Sequence, residues 1–405
     1  VNDEVAVTGV GLVTPGGTGA PATWETVCAG RATARPDPVL SEMPVTMSCR
    51  VPALPSGRGG RLWRYDRGTR FLLTAAREAL DHAGLHPDGW DPARVAVVIG
   101  TAAGGIDTLE AQHHKLLATG PAVVSPLTMP AFLPNMTAGH LALDLGVTGP
   151  SLQTSTACAS GATALITACL LLKAGTCDIA IAGGTDAMVT PLCTAAFAKM
   201  GALSRRSHDP AHASRPFDKD RDGFVLGEGC GVLVLERGHH ADARGAHVLA
   251  RLAGHGATGD AYHATAPHPE GAGLRAATMT ALAQAGATPD DVDHINAHGT
   301  STPLNDSVEA TVIRDLYRRR RPSVTSAKGA LGHTMGAAGA VEAALTVLTI
   351  TYATMPPTAN FTAPDDTTAG IDIIASAARP RSVRLALSHS LGFGGHNTVL
   401  VFAAP

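Results

Sequence analysis

The chain has 405 residues, 45% hydrophobic and 16% charged, a balance that excludes intrinsic disorder, which needs many charges and few apolar groups. With 31 Lys and Arg against 34 Asp and Glu the formal charge is −3, so there is no global field to hold a polyanion and nucleic-acid binding is not expected. The seven cysteines contain no CxxC pair, which indicates neither a disulfide framework nor a zinc site and fits a reducing cytoplasm. The N-terminus lacks a basic signal-peptide region, and the apolar run Ala162 to Leu172 is too short to cross a bilayer. Neither export nor a membrane span is expected.

In chain order, Val5 to Val10 is a β-branched run that reads as a buried strand, and the charged, Pro-rich stretch Arg31 to Arg70 reads as a surface excursion. Thr69 to Ala83 has Phe71, Leu72, Ala75, Ala79 and Leu80 on one face and Gly84 after it, the pattern of an amphipathic helix. Val95 to Ile99 and Asp178 to Ala182 are further buried strands, with the Ala-rich helix Gly161 to Lys173 between them and a second surface loop, Ser204 to Asp222, after them. The second half repeats the scheme. Gly231 to Leu235, Val248 to Ala253 and Val292 to Ala297 are strand-like, Gly271 to Ala285 is helical, Met335 to Ile350 is a helix of small residues, and Leu385 to Ser388 and Thr398 to Phe402 are the last strands. Helices without a polar face need cover on both sides, so the pattern predicts a duplicated, layered α/β fold with two sheets enclosing buried helices. The expected units are residues 1–244 and 245–405.

Four places carry chemistry. Cys158, in TSTACASGATAL, stands where a polar segment meets the start of a buried helix, and a thiol facing unpaired N–H groups and the positive end of the helix dipole is expected to have a lowered pKa. The other six cysteines read as buried structural thiols. His298, in NAHGTSTPLND, ends a strand; His333 follows Lys328 by five residues, just ahead of the second small-residue helix. Two histidines in Gly/Ser/Thr-rich loops beside a candidate nucleophile suggest a catalytic set. The turn Gly392 to Asn397, GFGGHN, has backbone amides free to form an oxyanion hole. DKDRDG (Asp218 to Gly223) imitates a calcium loop, but Gly229 stands where the bidentate Glu belongs, so it reads as structural.

Taken together, TACASG, RPFDKDRDGFVLGEG, GDAYHATAP, NAHGTSTPLND, the Lys328 to His333 segment and LGFGGHN resemble the β-ketoacyl-acyl carrier protein synthases of the thiolase superfamily, the elongating Cys-His-His class, from about Val5 to Phe402. The resemblance implies a five-layer α-β-α-β-α fold with two mixed sheets and buried central helices. It implies acyl transfer onto Cys158, with His298 and His333 acting on a malonyl thioester and Lys328 and Glu342 fixing the histidines. The N–H groups of Cys158 and Phe393 would form the oxyanion hole, and Thr300 and Thr302 would bind the pantetheine arm. Phe393, Ala103, Thr128, Met129 and Phe197 would line the acyl path, with Ala103 and Thr128 smaller than is common in fatty-acid enzymes. The family commonly has Asn and Phe where this chain has His389 and Leu391. No bound cofactor or metal is implied, because the substrates ride on the phosphopantetheine of an acyl carrier protein. That acidic carrier is expected to dock on Arg61, Arg64, Arg67, Arg70, Lys199, Arg205 and Arg206. The second partner is another copy of the chain or a chain-length factor. Other readings are a non-catalytic chain-length factor, which lacks the nucleophile, and a Cys-His thioester hydrolase.

Overall fold

Strands form where small or β-branched residues alternate between two buried faces. In Val95–Gly100, Val95, Val97 and Ile99 point into one apolar cluster while Ala96 and Val98 point into another. The computed structural model describes residues 4–52, 54 and 64–405. Its principal strands are β1 (Val5–Thr14), β2 (Val95–Gly100), β3 (Ser151–Thr154), β4 (Ile179–Asp186), β5 (Gly229–Arg237), β6 (Ala250–Gly259), β7 (His294–Asn296), β8 (Ser323–Thr325), β9 (Asp372–Ile373), β10 (Leu385–Gly392) and β11 (His396–Ala403). Their spatial order is β9-β8-β7-β10-β11-β6-β1-β5-β4-β2-β3, with Gly17–Thr18 folded back on β1. The duplication is visible in this order. Each half has three antiparallel strands, β1-β5-β4 or β6-β11-β10, followed by parallel neighbours, β2-β3 or β7-β8-β9.

The helices that matter for the site are α1 (Arg67–Ala83), α2 (Ile106–Thr119), α3 (Asn135–Leu145), α4 (Ser160–Lys173), α5 (Pro191–Met200), α6 (Ala272–Gln284), α7 (Pro303–Leu316) and α8 (Ala338–Thr351). Apolar residues of α1 and α3 cover the outer face of the first half-sheet, those of α6 and α7 cover the outer face of the second, and α4 and α8 fill the space between. These are the five layers expected. The two expected sheets differ from the observed arrangement in one respect: they share hydrogen bonds along a seam between β1 and β6, limited to the pairs Ala6–Arg251 and Val7–Ala250. Beyond the seam the half-sheets diverge, and α4 and α8 occupy the wedge.

Small residues set the spacing of that middle layer. A Cβ on Gly161 of α4 would lie 2.8 Å from the backbone N and Cβ of Ala340, and one on Gly339 of α8 would lie 2.8 Å from Ala162 N. The Gly- and Ala-rich composition is thus a packing requirement of two helices crossing backbone to backbone.

Two expectations need correction. The stretches Arg31 to Arg70 and Ser204 to Asp222 are not simple surface loops: Ala34, Leu40, Met47 and Cys49 in the first and Ser214, Phe217 and Asp218 in the second are buried. Their charges go inside because they are paired. Asp218 binds Arg215 and the N–H groups of Asp220, Thr362 and Ala363, and Arg221 binds Asp365 at 2.6 Å. We expect Gly161→Leu to overpack the helix crossing and lower unfolding free energy by roughly 1–3 kcal/mol or more. Denaturant melts compared with Gly89→Ala, at an exposed position where an added Cβ meets nothing within 4 Å, check this; equal loss in both would contradict the packing account.

Candidate active site

Cys158 sits two residues before α4, and the backbone there is bent by Ala157, a non-glycine residue at φ 50°. Ser160 braces the bend, its hydroxyl donating to Ala157 O at 2.6 Å and accepting from Thr156 N at 2.9 Å. The result puts a 5% exposed thiol at the base of a cavity of about 370 Å³. His298 follows β7 and His333 precedes α8; both line the same cavity, with ring centroids 5.4 Å apart and planes at 84°. Phe224 stacks edge-on against His333 at 5.3 Å and Phe197 against Phe224 at 5.5 Å, forming an aromatic wall that continues to Phe393.

The two imidazoles are set by what their Nδ1 atoms accept. Lys328 Nζ lies 3.3 Å from His298 Nδ1, donates to His298 O at 2.6 Å, and forms an ion pair with Glu342. An ammonium has only donors, so His298 Nδ1 is the acceptor and Nε2 carries the proton. His333 Nδ1 accepts the Met335 N–H at 3.2 Å, an amide aimed by Met335 at φ 55°, which again leaves the proton on Nε2. Burial and then the Lys328 charge hold both rings well below the usual imidazole value, so they are neutral. The cavity therefore contains two neutral N–H donors beside a sulfur atom. Burial raises the Glu342 carboxyl to about 7, opposed by Lys328.

The thiol departs from the expectation of a lowered pKa. Burial pushes Cys158 up to about 11, with Lys328 and the Phe393 N–H, which is directed at the sulfur, acting the other way. The helix start lies two residues on, and desolvation outweighs its pull. Gly392 lies against this point: a Cβ there would be 2.3 Å from Thr156 O and 3.3 Å from Cys158 N. Its missing side chain keeps the space beside the Cys158 and Phe393 amides open.

The β-ketoacyl synthase N-terminal domain family matches residues 2–241 and the C-terminal domain family residues 249–362. The chain belongs to the β-ketoacyl synthase family. It is 40% identical over 415 aligned residues to 3-oxoacyl-[acyl-carrier-protein] synthase 2 of Synechocystis sp., covering 98% of this chain and 97% of that one. Among solved structures it resembles the ishigamide ketosynthase/chain length factor, with TM-score 0.93, 32% identity and full coverage of both chains. It also resembles a type II PKS ketosynthase bound to the hexaketide and in complex with its acyl-carrier protein, with TM-score 0.91, 31% identity and 99% coverage of both. The chain is an acyl-transferring ketosynthase with a thiolase-like fold.

In this synthase the cavity brings together Cys158, His298, His333, Thr300, Thr302, Phe197 and Phe393, with Lys328 and Glu342 directly behind His298. Thr300 and Thr302 share a 2.8 Å hydrogen bond at the wall. Ala103, Thr128 and Met129 do not line it. Ala103 packs against the apolar cluster that contains Cys158, but Thr128 bonds to Ser125 O and Met129 is 55% exposed. The basic cluster is also divided. Arg61 lies outside the described residues, Arg64 is exposed, and Arg67 is tied inward by Glu228 at 2.5 Å and by Val51 O. Arg70 is half-buried, and Arg206 donates to Asp220 O, whereas Lys199 and Arg205 are exposed beside the mouth-lining residues Met200, Gly201 and Ala202. Sequence reasoning missed Phe224, Asp306 and Glu309; the last two stand at i, i+3 in the NDSVE segment, a spacing that puts both on one helix face. At pH 6, 15N NMR of the imidazoles is expected to show His298 and His333 neutral and protonated on Nε2. Imidazolium signals would contradict the tautomer assignment.

Proposed function

We propose that this synthase catalyses decarboxylative Claisen condensation of a Cys158-bound acyl chain with a malonyl-carrier thioester, giving a 3-oxoacyl-carrier and carbon dioxide. The observation that carries the reading is the pair of neutral Nε2–H donors held beside the Cys158 sulfur. In the first half-reaction the Cys158 sulfur attacks the acyl thioester carbonyl, and the N–H groups of Cys158 and Phe393 donate to the oxyanion. The C–S bond to the carrier breaks, and the thiol proton of Cys158 ends on the departing carrier thiol. Both Nε2 atoms already bear protons, so neither ring serves as base at that nitrogen.

In the second half-reaction the malonyl thioester oxygen receives hydrogen bonds from both imidazoles. The bond to the carboxylate breaks, its electron pair forms the enolate, and the enolate carbon attacks the acyl-Cys158 carbonyl. Cys158 leaves as thiolate and takes up a proton from solvent, which replaces the one lost to the carrier thiol in the first half-reaction. Neutral donors suit this step, since an imidazolium would protonate the nucleophilic carbon or be held too strongly by the carboxylate. Thr300 and Thr302 would bind the pantetheine arm, and the protein itself supplies every catalytic group without a cofactor or metal.

The carrier is proposed to approach the cavity mouth, where Lys199 and Arg205 offer exposed positive charge to an acidic partner. The second partner is a chain of the same fold, either another copy or a chain-length factor, added at the β3 edge. Leu152 on β3, Leu143 on α3 and Leu117 on α2 are exposed there, and α2 has no buried residue. The cytoplasm is the proposed compartment, supported by seven free thiols among the described residues.

Assays with acyl- and malonyl-carrier are expected to show loss of condensation in Cys158→Ala with malonyl decarboxylation retained, and a drop of about 10²–10³ in the decarboxylation rate in His298→Ala. Release of free acid without a 3-oxo product would reject the reading in favour of hydrolysis. Lys199→Glu combined with Arg205→Glu is expected to weaken carrier binding and flatten its salt dependence, read by binding titrations at two ionic strengths.

A further inference from the structure

We infer that His389 is a positioning residue that holds the His298 loop in its donor geometry through Glu309. The inference rests on the role proposed for His298. His389 lies on β10 between Leu387 and Leu391, which face the outer helical layer, and it is 1% exposed. Across that interface α7 presents Glu309, which is fully buried, with its Oε1 3.1 Å from His389 Nδ1. The same Oε1 accepts the backbone N–H of His298 at 2.8 Å, and Oε2 accepts that of Gly299 at 2.8 Å. A carboxylate only accepts, so Nδ1 is the protonated nitrogen of His389, the tautomer opposite to that of His298 and His333.

The loop that Glu309 holds has no strand or helix of its own. Asp306, one turn earlier on α7, accepts the N–H groups of Thr300 and Ser301 at 2.9 and 3.1 Å. Two carboxylates thus clamp four successive amides, 298 to 301. Asp306 is also steadied by Phe217 N at 2.8 Å and by Arg221 at 3.9 Å. Among the described residues no arginine pairs with Glu309, and its side-chain donors are His389 and Asn305, the latter at 3.5 Å. Removing His389 strips the nearer donor from a fully buried carboxylate, which must then turn toward another partner. The His298 N–H anchor moves with it.

Displacement of His298 impairs the step that uses its Nε2–H and not the step that uses the Cys158 and Phe393 amides. The test measures both half-reactions separately on the full chain: acylation of Cys158 from an acyl-carrier thioester, followed by intact-protein mass spectrometry, and carbon dioxide release from malonyl-carrier. His389→Leu is expected to lower kcat for decarboxylation about 10-fold or more, with KM within about twofold and acylation within about threefold, since a misplacement near 1 Å costs up to about 10²-fold. His389→Asn, whose Nδ2 falls near the place of Nδ1 and donates, is expected to restore decarboxylation to within about threefold. Equal loss in both half-reactions, no loss in the leucine variant, or no rescue by asparagine overturns the inference. Should the leucine variant not fold, Glu309→Gln is expected to give the same split, and uniform loss there overturns it as well. A wild-type chain that acylates Cys158 but releases no carbon dioxide rejects the condensation reading itself, an outcome separate from all of these.

Discussion

The backbone-to-backbone crossing of α4 and α8 is the constraint on which the site depends. Gly161 and Ala162 on one helix meet Ala340 and Gly339 on the other, and each helix begins just after a reactive residue, Cys158 in one case and His333 in the other. Bringing the helix starts into contact is what puts a sulfur and an imidazole in one cavity. Larger side chains would separate the helices and, with them, the two halves of the chemistry. Duplication explains why both helices exist. Each half folds a small-residue helix against its own sheet, and only the docking of halves buries the opposite face.

Donors, not charges, define the interior of the site. Nearly every charged group close to Cys158 is neutralised by a specific neighbour: Lys328 by Glu342, and Asp186 by Thr101 and the N–H groups of Ala102 and Gly336. The groups that face the cavity are N–H bonds of fixed direction. Such an environment leaves the resting thiol protonated yet favours negative charge on a thioester oxygen, where the donors converge. Reactivity then depends on the bound substrate and not on a preformed thiolate.

The sequence made the alternating strands, the two apolar helices and the cysteine-histidine set legible, because periodicity and motif spacing are local properties. Less accessible were features decided by contacts far apart in the chain. Helix α2 has no buried residue, so no hydrophobic stripe marks it. The buried loop around Asp218 looked like surface because its charge is visible in sequence while its partners at residues 362 and 363 are not. The raised thiol pKa is of the same kind: the helix start at Cys158 can be read from neighbours in sequence, but the burial that overrides it comes from residues distant in the chain, among them Met188, Leu203, Phe224 and Met335. Arg67 was likewise grouped with docking cations, although Glu228 had already claimed it.

The seam of two residue pairs between β1 and β6 bears on how such a molecule is born. The seam itself adds little hydrogen bonding, so the halves cohere through loop contacts such as Asp218 with Thr362 and Asp186 with the Gly336 N–H, and through covering α4 with α8 and the second half-sheet, material that leaves the ribosome late. Until then the first half carries a greasy helix with one side bare, and its cysteine lacks the imidazoles and the Phe393 amide. A nascent chain of this protein is therefore expected to be sticky before it is competent, and a form truncated ahead of His298 is expected to carry no condensing activity.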